Sequence, residues 1–330
     1  MKRICIFLVL LSFLLVGCGT KQSDATDVKA DAPTNTATPT EPTEAKAVTG
    51  WLKEGSNTYY IKEDGSRHTG WLELDGNRYY LADDGVLHTG WLELDGNRYY
   101  LADDGVLHTG WLELDGKEYY MKQDGTAIRG KATIGQNTYY FTSQGVKTIV
   151  VNPWNMLPAD YAPNLVRVEG KYKVDAICKD ALERMLADCR AAGFDPAICS
   201  AYRDRNLQIE LYNNKVTYYL NRGYAYDDAR TKAGKVVAVP GTSEHELGLA
   251  LDLVDDAHWD LDESQEQRPT QKWLMEHCWE YGFILRYPTN KTEHTGIIYE
   301  PWHYRYVGVE LAMELKDSGL CLEEYFASLS

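Results

Sequence analysis

The sequence predicts two folded parts of different class, a solenoid of β-hairpins followed by an α+β domain. A twenty-residue pattern repeats from Thr49 to about residue 148, and a fixed period of this size is typical of stacked repeat units. The period vanishes after Val150, and the remaining residues mix amphipathic-helix and strand patterns. That part is long enough to form one domain with its own core.

Composition excludes several classes of protein. The chain has 34 Lys and Arg against 49 Asp and Glu, a formal charge of −15, so it lacks the basic surface expected of a nucleic-acid-binding protein. With 25% charged residues it is not a multi-span membrane protein. The aromatic residues are 24 Tyr and 9 Trp against 6 Phe, and Tyr and Trp favour surfaces where one end of the ring stays wet. We therefore expect exposed aromatic residues that bind a ligand.

The N-terminus has the pattern of a secretory signal. Lys2 and Arg3 precede an apolar run that is short for a membrane-spanning helix. The run ends in Gly17-Cys18, which resembles a bacterial lipobox. We expect residues 1–17 to be a lipoprotein signal peptide and Cys18 to be lipidated, with an ordinary signal and a chance Cys as the alternative. Residues 18–48, rich in Thr, Ala and Pro, are expected to be a disordered linker.

Each twenty-residue unit is predicted to be one β-hairpin. The units share a Thr-Gly-Trp opening, a Tyr-Tyr pair and glycines in two turns, and residues 69–88 are identical to residues 89–108. Glycine supplies the positive φ angles that tight hairpin turns require. A single hairpin is marginal in water, so the units must stack. The fifth copy has Arg129-Gly130-Lys131 in place of Thr-Gly-Trp and is predicted to be a terminal cap.

Over residues 49–148 this spacing resembles the choline-binding or cell-wall-binding repeats of Gram-positive surface proteins. The resemblance implies that aromatic residues of adjacent hairpins hold a wall ligand by cation–π attraction. The expected ligand-binding aromatic residues are Trp51, Trp71, Trp91, Trp111, Tyr79, Tyr99 and Tyr119. The chain departs from the usual Trp-Tyr-Tyr, because Thr58, Arg78, Arg98, Glu118 and Thr138 precede the Tyr pairs. A different wall glycan, or a purely structural aromatic spine, remains an alternative to choline.

Four segments of the second part carry secondary-structure patterns. Apolar residues at helical spacing predict a helix over 175–192, and a second helix is predicted over 271–281. A short strand is expected around Ile198. Residues 236–239 and 248–254 also read as strands.

Three residues of the second part form a candidate metal site. His245 and Asp252 lie in Ser-Glu-His-Glu-Leu-Gly-Leu-Ala-Leu-Asp, and His303 lies in Glu-Pro-Trp-His. Two imidazoles and one carboxylate suit Zn²⁺ with a fourth position open to water. Glu300 is available as a base that is not a ligand. Because residues three apart in a strand face opposite ways, Glu300 and His303 converge only if Pro301 marks an irregularity.

These motifs closely resemble the zinc D,D-carboxypeptidases of the VanY type, within the LAS metallopeptidases. The resemblance spans roughly residues 152–310 and implies a small antiparallel sheet with helices, one Zn²⁺ per chain held by His245, Asp252 and His303, and Glu300 as general base. It also implies that Arg203 binds the substrate carbonyl or carboxylate. By the same resemblance Gln208 and Ser243 line the peptide site. An ion pair of Arg203 with Asp204 is the structural alternative, and Arg286 is either a second carboxylate contact or a structural partner.

The sequence thus predicts a carboxypeptidase domain over residues 149–330 that removes D-Ala from peptidoglycan stem peptides. We expect the protein to be extracytoplasmic, held to the membrane by lipid and to the wall by its repeats, with no nucleic-acid partner. Two alternatives stay open. One is an L,D-carboxypeptidase acting on tetrapeptide stems, and the other is a non-catalytic wall-binding lipoprotein.

Overall fold

The structure is a computed structural model that describes residues 49–329. The predicted signal peptide, the lipidation site at Cys18 and the linker over 18–48 lie outside the described residues. No helix within 49–329 combines the length and the apolar character that crossing a bilayer demands.

The first part consists of five antiparallel hairpins, as the repeat predicts. Their strands are β1 Gly50–Glu54, β2 Asn57–Ile61, β3 Gly70–Leu74, β4 Asn77–Leu81, β5 Gly90–Leu94, β6 Asn97–Leu101, β7 Gly110–Leu114, β8 Lys117–Met121, β9 Gly130–Ile134 and β10 Asn137–Phe141. In the second hairpin the turn residues Asp75 and Gly76 have φ angles of 51° and 80°. Two consecutive positive φ angles match the right-handed twist of the flanking strands, which explains the Asp-Gly of this turn.

Consecutive hairpins are joined by backbone hydrogen bonds and ring contacts. The Leu87 N–H donates to the carbonyl of Thr58 over 2.8 Å, and the Leu107 N–H donates to that of Arg78 over the same distance. Trp91 packs edge-on against Tyr119 of the next hairpin, with ring centroids 4.8 Å apart. Neighbouring units therefore bury the hairpin faces that would be exposed to solvent in a single hairpin.

The fifth hairpin is the last unit of the solenoid, and it packs against the second part of the protein. It is widened by β11 Lys147–Thr148 and packs on α7 Leu322–Ser328 at the far end of the chain. Tyr140 and Phe326 have ring centroids 5.3 Å apart, and the Ser143 N–H donates to the Tyr325 hydroxyl. The solenoid is closed by the second part of the protein.

That second part is an α+β domain with a small antiparallel sheet, which confirms the predicted fold class. Its remaining helices are α1 Ala176–Ala191, α2 Arg205–Leu220, α3 Tyr226–Gly234, α4 Pro269–His277, α5 Thr292–Thr295 and α6 Val309–Ser318. A small ribbon pairs β12 Leu165–Arg167 with β13 Lys173–Asp175. The main sheet contains β14 Pro196–Ser200, β15 Ala250–Asp255, β16 Phe283–Leu285 and β17 His303–Tyr306, in the order β14-β15-β17-β16.

The core of this domain lies between α1 and the sheet. Asp175 caps α1 by accepting a hydrogen bond from the Ile177 N–H, and the apolar face of the helix is buried against Leu251 and Leu253 of β15. The predicted helices are confirmed, apart from a final 3₁₀ turn over Cys278–Tyr281. The predicted strand over 236–239 is wrong, because the chain there leaves α3 in a turn, with the Val237 N–H donating to the Ala233 carbonyl.

Candidate active site

The register of the main sheet brings two of the predicted metal ligands together. Asp252 on β15 lies directly opposite His303 on β17. Side chains of directly opposed residues project from the same face of an antiparallel sheet. The His303 Nδ1 atom accordingly lies 3.3 Å from Asp252 Oδ1.

His245 reaches the same point from a 3₁₀ turn over Glu244–Leu247 that precedes β15. Its Nε2 atom lies 3.3 Å from Asp252 Oδ2, and its ring stands perpendicular to that of His303 with centroids 4.8 Å apart. The Nδ1–H of His245 donates to the Ala201 carbonyl over 2.7 Å, which leaves Nε2 free to bind a metal. One ligand atom from each of the three residues falls within 4.8 Å of the others.

The chemistry of this cluster fits a divalent cation. His245 Nε2 and Asp252 Oδ1 are buried and have no hydrogen-bond partner among residues 49–329, although buried polar atoms are nearly always paired. Burial, reinforced by the nearby Arg203, lowers the pKa of His245 to about 4. Burial opposes ionisation of Asp252, but the two imidazoles outweigh it and hold the pKa of that carboxyl well below its usual range. These are the protonation states in which His245 and Asp252 bind zinc. Burial opposes protonation of His303, but the carboxylates of Asp252 and Glu244 outweigh it and raise the pKa of that ring to about 9, so metal binding there releases a proton.

Glu300 lies beside the cluster because the chain turns just before β17. The His303 N–H donates to the Glu300 carbonyl over 3.1 Å, and Pro301 occupies this turn. Glu300 Oε2 lies 3.6 Å from His303 Nδ1. The expectation that the two residues converge through an irregularity at Pro301 is confirmed. Burial raises the pKa of Glu300 to about 8, which suits a group that both takes up and releases a proton.

Arg203 follows β14 and points into the same site. Its Nη2 atom lies 3.6 Å from Asp252 Oδ2, its side chain is 16% exposed, and its Nε has no hydrogen-bond partner among the described residues. The alternative of an ion pair with Asp204 is wrong, because the Asp204 carboxylate caps α2 by accepting from the Leu207 N–H over 2.8 Å. A permanent cation with a free N–H is therefore held at the site.

These groups line a cavity of about 300 Å³. Ser243 lines it, as predicted, and the chain over 236–238 forms part of its wall. Gln208 does not line it, contrary to the prediction. Gln208 is fully buried on α2 and donates to the Ala238 carbonyl over 2.7 Å. It therefore supports the wall from behind.

Sequence reasoning gave no role to Glu244, which stands between the predicted site residues Ser243 and His245. Glu244 is fully buried, and its Oε1 accepts hydrogen bonds from Arg286 Nε and Arg305 Nη1, each over 2.8 Å. Its Oε2 lies 3.6 Å from the Nε2 of His303. Glu244 thus faces the side of His303 that points away from the cluster, where a carboxylate orients a metal-binding imidazole.

Arg286 is the structural partner of this carboxylate and not a second substrate contact. It is buried between Glu244 and Glu323, and its Nη1 donates to Glu323 Oε2 over 2.9 Å. Glu323 comes from α7, far from every sequence motif of the site. Glu244, Arg286, Arg305 and Glu323 form a charged network behind the site. Its signals in the sequence were Arg286 and Arg305, the latter two residues after His303.

The aromatic residues predicted to bind a wall ligand lie along the solenoid with different exposure. Trp51 and Trp111 are exposed, whereas Trp71, Trp91, Tyr79 and Tyr99 are partly buried. Tyr119 is buried against Trp91. Each Trp packs edge-on against a Tyr of the following hairpin, so the aromatic residues also form a structural spine.

Comparison with known families agrees with this geometry. Residues 171–309 match the VanY family, described as D-alanyl-D-alanine carboxypeptidase. Residues 49–66, 69–87, 89–107 and 109–127 match a choline-binding type of cell wall binding repeat.

The bifunctional D-Ala-D-Ala dipeptidase and D-Ala-D-Ala carboxypeptidase VanXYC of Enterococcus gallinarum is 38% identical over 141 residues, which cover 41% of this chain and 70% of that protein. This chain belongs to the VanY family. A D-alanyl-D-alanine carboxypeptidase of Enterococcus faecalis strain V583 is 42% identical over 178 residues, covering 54% of this chain and 64% of the relative. The VanY-family match thus spans less than two thirds of that relative's length.

Among solved structures, VanYB in complex with D-alanine-D-alanine is 41% identical, with a TM-score of 0.51. The match covers 54% of this chain and 96% of that chain. The VanY-family part of this protein therefore resembles almost the whole of that structure.

Proposed function

We propose that this chain is a zinc-dependent carboxypeptidase that removes the C-terminal D-Ala from peptidoglycan stem peptides. The observation that carries the proposal is the convergence of three metal-binding side chains, a buried carboxyl and an arginine on one cavity. VanY-family membership and the D-alanine-D-alanine complex of VanYB support the substrate class.

We assign the metal to His245, Asp252 and His303. The chemistry that zinc supplies in such a site is Lewis-acid activation of water. These two buried imidazoles and one carboxylate would hold the ion at the wall of the cavity. One metal ion per chain follows from this set.

Glu300 is proposed as the general base. Its carboxylate is buried next to the cluster, where it takes a proton from the attacking water and then gives it to the leaving amine of D-Ala. The Arg203 guanidinium offers hydrogen bonds of fixed geometry to the substrate carboxylate or to the scissile carbonyl. Ser243 contributes a hydroxyl to the wall on which the peptide lies.

Substitution of Glu300 tests the assignment. Glu300→Gln keeps the shape of the side chain but removes its basicity, so hydrolysis should fall by about 10²- to 10⁴-fold while zinc content stays at one per chain. The matched control is Glu293→Gln on α5, where the side chain is exposed, and this variant should keep full activity. Removal of the metal by a chelator should abolish hydrolysis, and added zinc should restore it.

Mass spectrometry of purified muropeptides identifies the bond that is cut. Release of D-Ala from pentapeptide stems supports the D,D-carboxypeptidase proposal. Cleavage confined to tetrapeptide stems would replace it with the L,D-carboxypeptidase alternative. Full activity of Glu300→Gln, or of the chelated protein, would contradict the mechanism.

We further propose that the protein acts outside the cell, retained by the wall through its repeats and by the membrane through a lipid on Cys18. The repeat-family match supports retention by the wall, and the lipobox-like sequence before Cys18 supports the lipid. Cys18→Ser should move the protein from the membrane fraction to the wall and medium. An unchanged membrane fraction would contradict the lipid anchor.

A further inference from the structure

Two hairpins of the solenoid hold an arginine against their own tryptophan. The guanidinium carbon of Arg78 lies 4.5 Å from the centre of the Trp71 ring, and that of Arg98 lies 4.1 Å from the centre of the Trp91 ring. These distances are within the range of cation–π attraction. A cation of the protein therefore occupies the ring face to which an external cation would bind.

The arginines are fixed in this position from two other directions. Arg98 lies opposite Glu93 in the hairpin register, and its Nε is 3.4 Å from the Glu93 carboxylate. Its Nη1 donates to the carbonyl of Gln144, which belongs to a later turn of the solenoid. Arg78 repeats the arrangement, with Nε 3.5 Å from Glu73 and Nη1 3.1 Å from the carbonyl of Asp124.

In the fourth hairpin the cation over the tryptophan comes from a different position in the sequence. Glu118 stands where the second and third hairpins have arginine. Lys147 forms an ion pair with Glu118, and its Nζ lies 5.5 Å from the centre of the Trp111 ring and 5.7 Å from that of Tyr139. The sign of the residue at this position is reversed, yet a cation still lies over the tryptophan.

The first hairpin differs from these three. Thr58 stands in the arginine position, and no Lys or Arg of residues 49–329 lies over the Trp51 ring. Trp51 is 39% exposed and packs edge-on against Tyr60 and Tyr79, with centroids 5.3 and 4.9 Å away. The nearby Arg67 lies instead over Tyr59, which projects from the opposite face of the hairpin.

We propose that the repeats carry their own cations at Trp71, Trp91 and Trp111 and leave one aromatic site, Trp51 with Tyr79, for an external quaternary ammonium group. This inference rests on the proposed wall-binding role of the repeats. An internal cation blocks the ring face sterically and repels a second positive charge. The solenoid therefore binds a choline-substituted polymer through a single site per chain and gains no avidity from the other three tryptophans.

Choline stoichiometry measured by equilibrium dialysis tests the proposal. The full chain should bind one choline, Trp51→Ala should bind none, and Trp91→Ala should still bind one. Arg98→Thr copies the residue of the first hairpin and should raise the stoichiometry to two. Arg98→Lys keeps a cation at the ring and is the matched control, with a stoichiometry of one.

Arg78→Thr makes the same change in a repeat of identical sequence, so it replaces Arg98→Thr if that variant does not fold. Stoichiometries of zero or of three to four for the unmodified chain would overturn the proposal. So would an unchanged value of one in both folded arginine-to-threonine variants.

Sedimentation with purified cell walls separates this inference from the wall-binding role. A chain that sediments with walls but binds choline at every tryptophan contradicts the inference alone. A chain that binds one choline but does not sediment contradicts the wall-binding role.

Discussion

The solenoid and the VanY-family domain form their structures over different sequence distances. In the solenoid, Leu107 hydrogen-bonds to Arg78, and the longest arginine contact joins residues 46 apart. In the domain, Glu244 binds Arg305 over a separation of 61 residues, and Arg305 donates to the Ile149 carbonyl across 156 residues. These solenoid contacts thus join units one or two repeats apart, whereas the candidate active site depends on contacts that close longer loops.

This difference predicts that a change in the charged network will disturb the domain and spare the first three hairpins of the solenoid, which are remote from α7. Glu323→Ala removes one of two carboxylates that balance the buried Arg286 and Arg305. We expect the free energy of unfolding of the domain to fall by about 3–5 kcal/mol, because two buried arginines then share the single carboxylate of Glu244. Urea unfolding followed by near-ultraviolet circular dichroism measures the loss.

Glu310→Ala is the control for that variant. Glu310 is a surface residue whose side chain is 72% exposed and pairs with Lys117, so its removal should change the unfolding free energy by less than about 1 kcal/mol. Amide exchange in residues 50–101 should be the same in both variants. Faster exchange there after Glu323→Ala would contradict the independence of the two regions.

The next effect is on metal affinity, which is measured on the folded protein and is therefore separate from the loss of charge balance around Arg286 and Arg305. Glu244→Gln keeps a hydrogen-bond acceptor for Arg286 and Arg305 but removes the negative charge that faces His303. Loss of such a partner typically lowers metal affinity by about 10- to 100-fold. Competition with a chromogenic chelator measures the zinc affinity directly. An unchanged affinity would show that Glu244 only neutralises the arginines.

The smallest expected effect lies in the solenoid, where two glycines of one repeat can be compared. A Cβ added at Gly105 would lie 2.6 Å from a methyl group of Leu87, whereas one at Gly96 meets nothing within 4 Å. Both residues have positive φ, so alanine strains the backbone at either position. Gly105→Ala should therefore destabilise the solenoid by about 1 kcal/mol more than Gly96→Ala, through overpacking.

Thermal unfolding followed by tryptophan fluorescence compares the two glycine variants. Equal midpoints would mean that neighbouring hairpins separate easily and that contacts between repeats contribute little. The solenoid would then behave as a row of independent hairpins and not as a structure stabilised by contacts between repeats.

Much of the candidate site was predictable because its ligands lie in short motifs. His245 and Asp252 are seven residues apart, and Glu300 precedes His303 within one turn, so the residue types and their order already indicated metal chemistry. Gln208 was misplaced because a motif does not show which side of α2 faces the cavity. The strand predicted over 236–239 failed because its apolar residues form a turn and part of the cavity wall.

The cations that lie over the solenoid tryptophans could be predicted only in part. The sequence showed arginine in place of an aromatic residue at positions 78 and 98, which made an external cation an unfavourable ligand there. The sequence did not show that the Lys147 ammonium group lies over the Trp111 ring, because that lysine lies outside the fourth repeat. Only the stacking of hairpins brings the two residues together.

The sequence by itself determined the repeating hairpins, the set of candidate metal ligands and the order of the two folded parts, because periodicity and short motifs are local properties. Only the tertiary structure decided that the fifth hairpin packs on α7, that Glu323 completes the charged network behind His303, and that three of the four tryptophans already carry a cation. Those outcomes depend on which distant side chains share a buried space, where an unpaired charge is too costly to leave.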